Sequence, residues 1–356
     1  MRSPITGSVK ITKEMVFSIA CHPSEQALLS LVGDKLGNLA LWDISATLER
    51  NKELDATVTE VEPVVSSFKP FRKPISKIAF NHGNLNQAYL SSYDGTLRLM
   101  DLETRQFTEL LIHPEGDMLS HFSLTSQNPH EIWISDGSGL ATLLDTRVPY
   151  DPASSTSTHF YTLSDKKINT IHANPRDPNY LVTAGLDRTV RIFDVRKLAP
   201  AQPLADNHAD PAEALAVLPH RLSVNSAYWD PSGRDVISTS FDDTLGLWKE
   251  VLREAENGLV SIKHGNNTGR WVQKFKSVWR GQEGFAGAEA FEGEGSVFII
   301  GNMQRSVDVF SGATGKQVAT LIDNSLTAIP AVNVFHPTLN MIVSGNASGR
   351  MNVWTA

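Results

Sequence analysis

Seven times along this chain a polar turn leads into a short run of alternating apolar residues that closes near an aromatic or an aspartate. The segments are LGNLALWDI (36–44), DGTLRLMDLE (94–103), SGLATLLDTR (138–147), DRTVRIFDVR (187–196), DDTLGLWKE (242–250), QRSVDVFSG (304–312) and SGRMNVWTA (348–356). Alternation with period two is the mark of a half-buried strand. The aspartates Asp43, Asp101, Asp145 and Asp194 fall 58, 44 and 49 residues apart. A β-unit recurring at roughly 40–50 residues reads as a propeller blade with loop insertions, because one such sheet cannot bury its faces alone.

Two further strands precede each segment. In the fourth repeat they are INTIHANP (168–175) and YLVTAG (180–185), and in the fifth VNSAYWDP (224–231) and DVISTS (235–240). Weaker fourth strands lie between repeats, at 107–112, 159–163, 259–263 and 316–321. The last repeat ends on its third strand, and SVKIT (8–12), ahead of the first repeat, alternates correctly to supply the fourth. Such a clasp leaves no open sheet edge. The expected fold is an all-β, seven-bladed WD40 β-propeller closed by an N-terminal strand in the last blade. It is expected to form one domain over 1–356, with blades at about 13–68, 75–112, 118–163, 168–218, 224–264, 276–321 and 329–356. An open β-sandwich explains neither the sevenfold recurrence nor the complementary ends.

Composition narrows the function. A single cysteine, Cys21, cannot build a disulfide framework or a thiolate cluster, which fits a reducing compartment. No apolar run approaches a membrane span, and MRSPITGSVKITKE does not resemble a signal peptide. The 11 histidines show no metal-ligand spacing, so no cofactor is expected. GATGK (312–316) has only part of a phosphate loop and reads as a tight turn. Asp94, Asp187, Asp242 and Asp243 read as braces of the turns before third strands, and in blade five Thr239, Asp242 and Trp248 are the expected parts of the bracing network. No nucleophile–base arrangement stands out, which points to a binding platform and not an enzyme.

The net charge of −7 argues against a wholly basic surface, but propeller geometry separates the loops into two faces. On the face of the fourth-to-first linkers and second-to-third turns fall Lys69, Arg72, Lys73, Lys77, Lys166, Lys167, Arg221, Lys263, His264, Arg270, Lys274 and Lys276, with Lys35, Arg188 and Arg305 in turns. Glu115, Asp117 and Asp323 interrupt the pattern. This is a candidate phosphate-binding footprint, the alternative being lysines that merely solvate loops. The loop His264-Gly265-Asn266-Asn267-Thr268-Gly269-Arg270-Trp271 places an aromatic among cations, suited to stacking on or wedging between bases. With seven tryptophans in the chain, composition alone favours a Trp271 folded back beneath its loop.

LSVNSAYWDPSGRDVISTSFDDTLGLW (222–248), KINTIHANPRDPNYLVTAGLDRTVRIFDVRK (167–197) and HGNNTGRWVQKFKSVW (264–279), with VFSIACHPS and GDKLGNLALWD, resemble the family of WD repeat-containing protein 76 and its fungal counterparts, the "changed mutation rate" DNA damage-binding proteins. The resemblance extends over essentially the whole sequence, and the 264–279 block is specific to this group. It implies a nuclear protein, found also in cytoplasm, that binds DNA in DNA metabolism and the damage response. Charge placement and the resemblance together give the expected DNA-binding site as Lys35, Arg72, Lys73, Lys166, Lys167, Arg188, Arg221, His264, Asn266, Arg270, Trp271, Lys274 and Lys276. In the related small subunit of the UV-damaged-DNA-binding complex, a hairpin at the place of Gly269-Arg270-Trp271 enters the duplex at the lesion. The resemblance also implies a protein partner, the triple-propeller adaptor of cullin-4 ubiquitin ligases, and the alternative function is a protein-interaction scaffold, ligase substrate receptor or chromatin adaptor that holds histones or other chromatin proteins without direct DNA readout. The adaptor would be met by Asp145 with Arg147 and by Asp194 with Arg196, on the opposite face. A monomer that binds no membrane is expected.

Overall fold

The computed structural model describes residues 8–53, 62–149, 158–200, 210–254, 258–269, 271–282 and 295–355. Within them the chain forms seven four-stranded antiparallel sheets. In blade one, Val16–Cys21, Leu29–Asp34, Leu39–Asp43 and Val64–Phe68 run in order from the axis to the rim. First strands of neighbouring blades lie against one another, and blade seven's Pro330–Phe335 meets blade one's Val16–Cys21. The ring is closed as the alternation at 8–12 predicts: Val9–Lys10 pairs antiparallel with the final strand, Val9 opposite Met351 and Lys10 opposite Arg350.

Burial explains which strands are easy to read. Ile168–Ala173 and Val224–Trp229 are buried at every position, because an inner strand is covered by a blade on each side. Rim strands such as Leu259–Lys263 are largely exposed and carry little apolar signal. Two fourth strands, Val64–Phe68 and Ala216–Pro219, give no clear sequence pattern, nor does the helix Ile44–Glu53 inserted after the third strand of blade one. That helix is capped by Asp43, whose Oδ1 accepts from Ala46 N at 2.8 Å. Thr47 Oγ1 ties it to the core by accepting from Trp42 Nε1 at 3.0 Å. The apolar clusters sit between blades; one joins Leu31 and Leu39 to Phe71, Ile75, Phe80 and Leu90.

Six blades share one irregularity. Pairing of the first two strands slips near the start of the first strand, at Val16/Ser18, Ile75/Lys77, Leu119/His121, Ile168/Thr170, Val224/Ser226 and Pro330/Val332. A bulge re-aims side chains locally. Here it turns polar groups toward the next blade: Ser18 Oγ donates to Ile75 O (2.8 Å), Ser76 Oγ to Leu119 O (2.7 Å) and Asn169 Nδ2 to Val224 O (2.8 Å).

Candidate functional site

One recurring backbone bond defines a face. In six of the seven blades the linker leaving the fourth strand donates to the carbonyl of the residue that closes the second-to-third turn of the same blade. The pairs are Phe71 to Gly37, His113 to Gly95, Leu163 to Gly139, His220 to Arg188, His264 to Asp243 and Ile11 to Gly349. Turns and linkers therefore lie together. The acceptor residue is left-handed each time: φ is +102° at Gly139 and +74° at Gly349, and a Cβ on either would come within 2.1 Å of a linker carbonyl. Three blades place a side chain in that conformation, Arg188 (φ 68°), Asp243 (φ 61°) and Arg305 (φ 62°). A non-glycine residue there costs about 1–2 kcal/mol. Strain of this kind collects at functional positions.

On this face the acids are turned inward. Asp94 accepts from Thr96 N, Thr96 Oγ1 and Arg72 N, and Asp187 accepts from Thr189 Oγ1 at 2.7 Å. The blade-five network differs from expectation by one residue. Trp248 Nε1 donates to Ser238 Oγ (3.0 Å), which also meets His220 Nε2 (2.9 Å), and His220 Nδ1 lies 3.4 Å from Asp242. Thr239 is not part of it; its hydroxyl bonds Ser277 at 2.8 Å. Adjacent strand residues point to opposite sides of the sheet, so the network reaches Ser238 and cannot reach its neighbour. The cations point outward: Lys35, Arg72, Lys73, Lys166, Arg188, Arg221 and Arg305 are exposed and form no ion pair with a carboxylate among the described residues.

The 264–279 loop is built from buried anchors and an exposed tip. His264 (7% exposed) and Asn266 (0%), two of the expected DNA contacts, are buried. His264 Nδ1 lies 2.7 Å from Asn266 Oδ1, its Nε2 is 3.4 Å from Asp308, and Asn266 N donates to Asp243 Oδ1 at 2.8 Å. Their role is to hold the loop. Phe275 is fully buried beneath it. Trp271 is 83% exposed, against the folded-back reading, whereas Trp42, Trp133, Trp229, Trp279 and Trp354 are buried in the blades. Arg270 lies outside the described residues.

Four lysines converge on the axis, which the linear sequence does not reveal because they come from the first strand of blade two and from the linkers ahead of blades four and six. Lys77, Lys274 and Lys276 line the mouth of the central channel together with Phe17, His121 and Asn333. Lys167 lies close by, its ammonium 4.7 Å from the centre of the Tyr93 ring, and Lys274 sits 5.5 Å from Phe241. Burial, then Lys77, Lys274 and Lys167, pull the Lys276 ammonium down to about 7. Burial, then Lys274, lowers Lys167 to about 8, with Asp117 opposing. Deeper in the channel His172 is pushed down to about 3 by burial and by Lys77, and His121 also falls well below its ordinary range.

The opposite face is arranged differently. Arg147 forks onto Asp145 (Nη2–Oδ2 2.6 Å) and Arg196 onto Asp194 (2.7 Å), each side chain 59–61% exposed. The Arg147 guanidinium holds the Asp145 carboxyl down at about 2. Lys249 pairs with Asp235, and Arg234 lies 3.5 Å from Glu250. No described helix is long and apolar enough to cross a membrane.

The WD domain, G-beta repeat family matches residues 154–194 and 213–249. The chain is also similar along nearly its full length to three fungal proteins named DNA damage-binding protein CMR1. It is 32% identical to that of Phaeosphaeria nodorum over 364 residues, 97% of this chain and 66% of the relative. The Neurospora crassa protein is 32% identical over 97% of this chain and 65% of its own length, and that of Chaetomium globosum 32% identical over 99% and 66%. The chain thus spans just under two thirds of the length of these relatives. Seven WD40 blades, the N-terminal clasp and this similarity along nearly the whole of the chain together establish that it belongs to the WD-repeat family of the fungal DNA damage-binding proteins.

Proposed function

We propose that the protein binds DNA in the nucleus, in the damage response, through the face that carries the linkers and the second-to-third turns. The observation that carries this reading is the row of exposed cations around that face whose side chains form no ion pair among the described residues: Lys35, Arg72, Lys73, Lys166, Arg188 and Arg221. Backbone phosphates are the ligand such a row suits, with the duplex held by charge and not by base identity. Trp271, raised on a loop whose anchors are buried, supplies a flat apolar surface where a base step is opened or distorted. Relatives named for binding damaged DNA support the same reading. A titration of intact and lesion-bearing duplexes with the Trp271→Ala variant tests it. Loss of stacking is worth about 1–3 kcal/mol, so preference for the distorted duplex should fall by about tenfold or more. Equal loss on both duplexes would remove Trp271 from lesion recognition.

The exposed Asp145–Arg147 and Asp194–Arg196 forks favour a second, compatible reading, docking of the cullin-4 ligase adaptor on the opposite face. Chromatin proteins such as histones would be brought in alongside DNA.

A further inference from the structure

One position of the third strand closes the gap between each blade and the linker arriving from the blade before it. In blade two it is Arg98, which donates to Pro70 O, lies 5.0 Å from the Phe71 ring and is held by Glu109 across the strand pair. In blade four Arg191 donates to Leu163 O at 3.3 Å, and in blade six Asp308 meets His264 at 3.4 Å. Blade five has glycine there, but the indole of Trp248 fills the space: a Cβ on Gly246 would come within 2.6 Å of its Nε1. Blade one has Ala40, and its partner on the fourth strand is Ser67. Two small side chains opposite one another leave a hollow beneath the arriving linker, Ile11-Thr12-Lys13.

The hollow holds about 540 Å³, within the roughly 300–1,000 Å³ of small-molecule sites. Its walls come from 10–13, 34–40 and 67–69, all within the described residues. Alternation puts Asn38 with Ala40, and Ser67 with Lys69, on the side that faces blade seven. Lys10, Lys13 and Lys69 stand exposed around the opening and form no ion pair among the described residues. Lys10 Nζ rests on the carbonyls of Lys13 (3.3 Å) and Ser348, and Lys69 Nζ on that of Leu36. The acid in the wall, buried Asp34, is consumed by its own turn. Its Oδ1 accepts from Leu36 N and Asn38 N at 2.9 Å each, and its Oδ2 from Asn38 Nδ2 at 2.6 Å.

Three ammonium groups at the opening suit a phosphate. A phosphate alone leaves most of the volume unfilled, and the apolar walls Ile11, Ala40 and Phe68 suit a flat ring better than a polyol. We propose that this pocket between blades seven and one binds a nucleoside monophosphate unit, its base in the hollow over Ala40 and Ser67 and its phosphate on Lys10, Lys13 and Lys69. Two sources share this chemistry: a free nucleotide, and a nucleotide turned out of a duplex lying on the neighbouring Lys35, Arg72 and Lys73. Only the second rests on the DNA-binding reading.

Equilibrium dialysis of the full chain against dAMP, deoxyadenosine and inorganic phosphate tests the pocket. Affinity for dAMP should exceed that for either fragment about tenfold, the order of one charge-assisted bond. Ala40→Arg gives blade one the plug of blades two and four and should weaken dAMP binding tenfold or more. The exposed pair Lys13→Ala and Lys69→Ala should lower dAMP affinity about tenfold and leave deoxyadenosine unchanged, and it decides the matter should Ala40→Arg fail to fold. Anisotropy with a duplex carrying one unpaired adenine, against its fully paired counterpart, separates the sources. A preference for the unpaired adenine that Ala40→Arg removes assigns the unit to DNA; dAMP binding without that preference assigns it to a free nucleotide. Loss of salt-sensitive duplex binding with dAMP binding retained overturns the DNA reading and leaves the pocket standing. The pocket is overturned if neither dAMP nor the unpaired adenine responds to these variants. It is overturned equally if Trp271→Ala abolishes dAMP binding while Ala40→Arg leaves it intact.

Discussion

The two faces of the propeller carry cations of the same kinds and treat them in opposite ways. On the face of the first-to-second and third-to-fourth loops, Arg147, Arg196, Lys249 and Arg234 each meet a carboxylate nearby. On the other, the exposed side chains of Lys35, Lys73, Lys166 and Arg188 form no ion pair among the described residues, while turn acids such as Asp94 and Asp242 are occupied by turn hydroxyls and backbone, and Asp187 by Thr189 and Arg191. A chain of net charge −7 can thus present an uncompensated positive surface on one side. Which partner a propeller face can hold follows from where its acids point more than from how many it has.

The sharpest way to break the comparison is to neutralise the paired face. Arg147→Ala with Arg196→Ala should abolish capture of the ligase adaptor in a pull-down while DNA binding persists; undiminished capture would remove those forks from docking. A smaller effect comes from pH. Between pH 7 and 9 the channel-mouth lysines Lys276 (about 7) and Lys167 (about 8) lose protons in the folded protein. The surrounding groups are Lys77, Lys274, Asp117, His121 and His172, and the two histidines are already neutral in this range. DNA affinity should fall about three- to tenfold over this interval, roughly the loss of one phosphate contact. Stability should move the other way: unfolded lysines titrate near 10.5, so the unfolded chain holds more protons in this window and folding is favoured as pH rises. Adaptor docking should not change, because Asp145 stays ionised throughout. The smallest effect is local. Arg188→Gly relieves a left-handed side chain and should raise stability by up to about 1 kcal/mol, while DNA affinity drops a few-fold. A loss of stability on thermal melting would show that the arginine side chain stabilises the turn.

Much of this architecture is readable in the linear chain, and what escapes does so for identifiable reasons. Third strands and the clasp at Val9–Lys10 announce themselves because alternation survives where one face is packed. Val64–Phe68 and Ala216–Pro219 do not, since rim strands bury little. The 264–279 block is visible as a loop, but burial separates its anchors, His264 and Asn266, from its tip, Trp271. Blade five's network reaches Ser238 and not the expected Thr239, because the two are chemically alike in sequence and only register decides between them. The convergence of Lys77, Lys167, Lys274 and Lys276 depends on ring closure and has no local signal.

The central claim is that one face alone holds DNA, through phosphate contacts. It is tested most directly by the salt dependence of duplex affinity in wild type, in a Lys73, Lys166, Arg188 and Arg221 to Ala variant, and in the Arg147/Arg196 variant. Each phosphate contact contributes about 0.9 to the slope of log K against log salt. The four-residue variant should lower that slope by about 3–4, and the Arg147/Arg196 variant should match wild type. Equal slopes in all three proteins, or a loss confined to Arg147/Arg196, would contradict the assignment of DNA to this face.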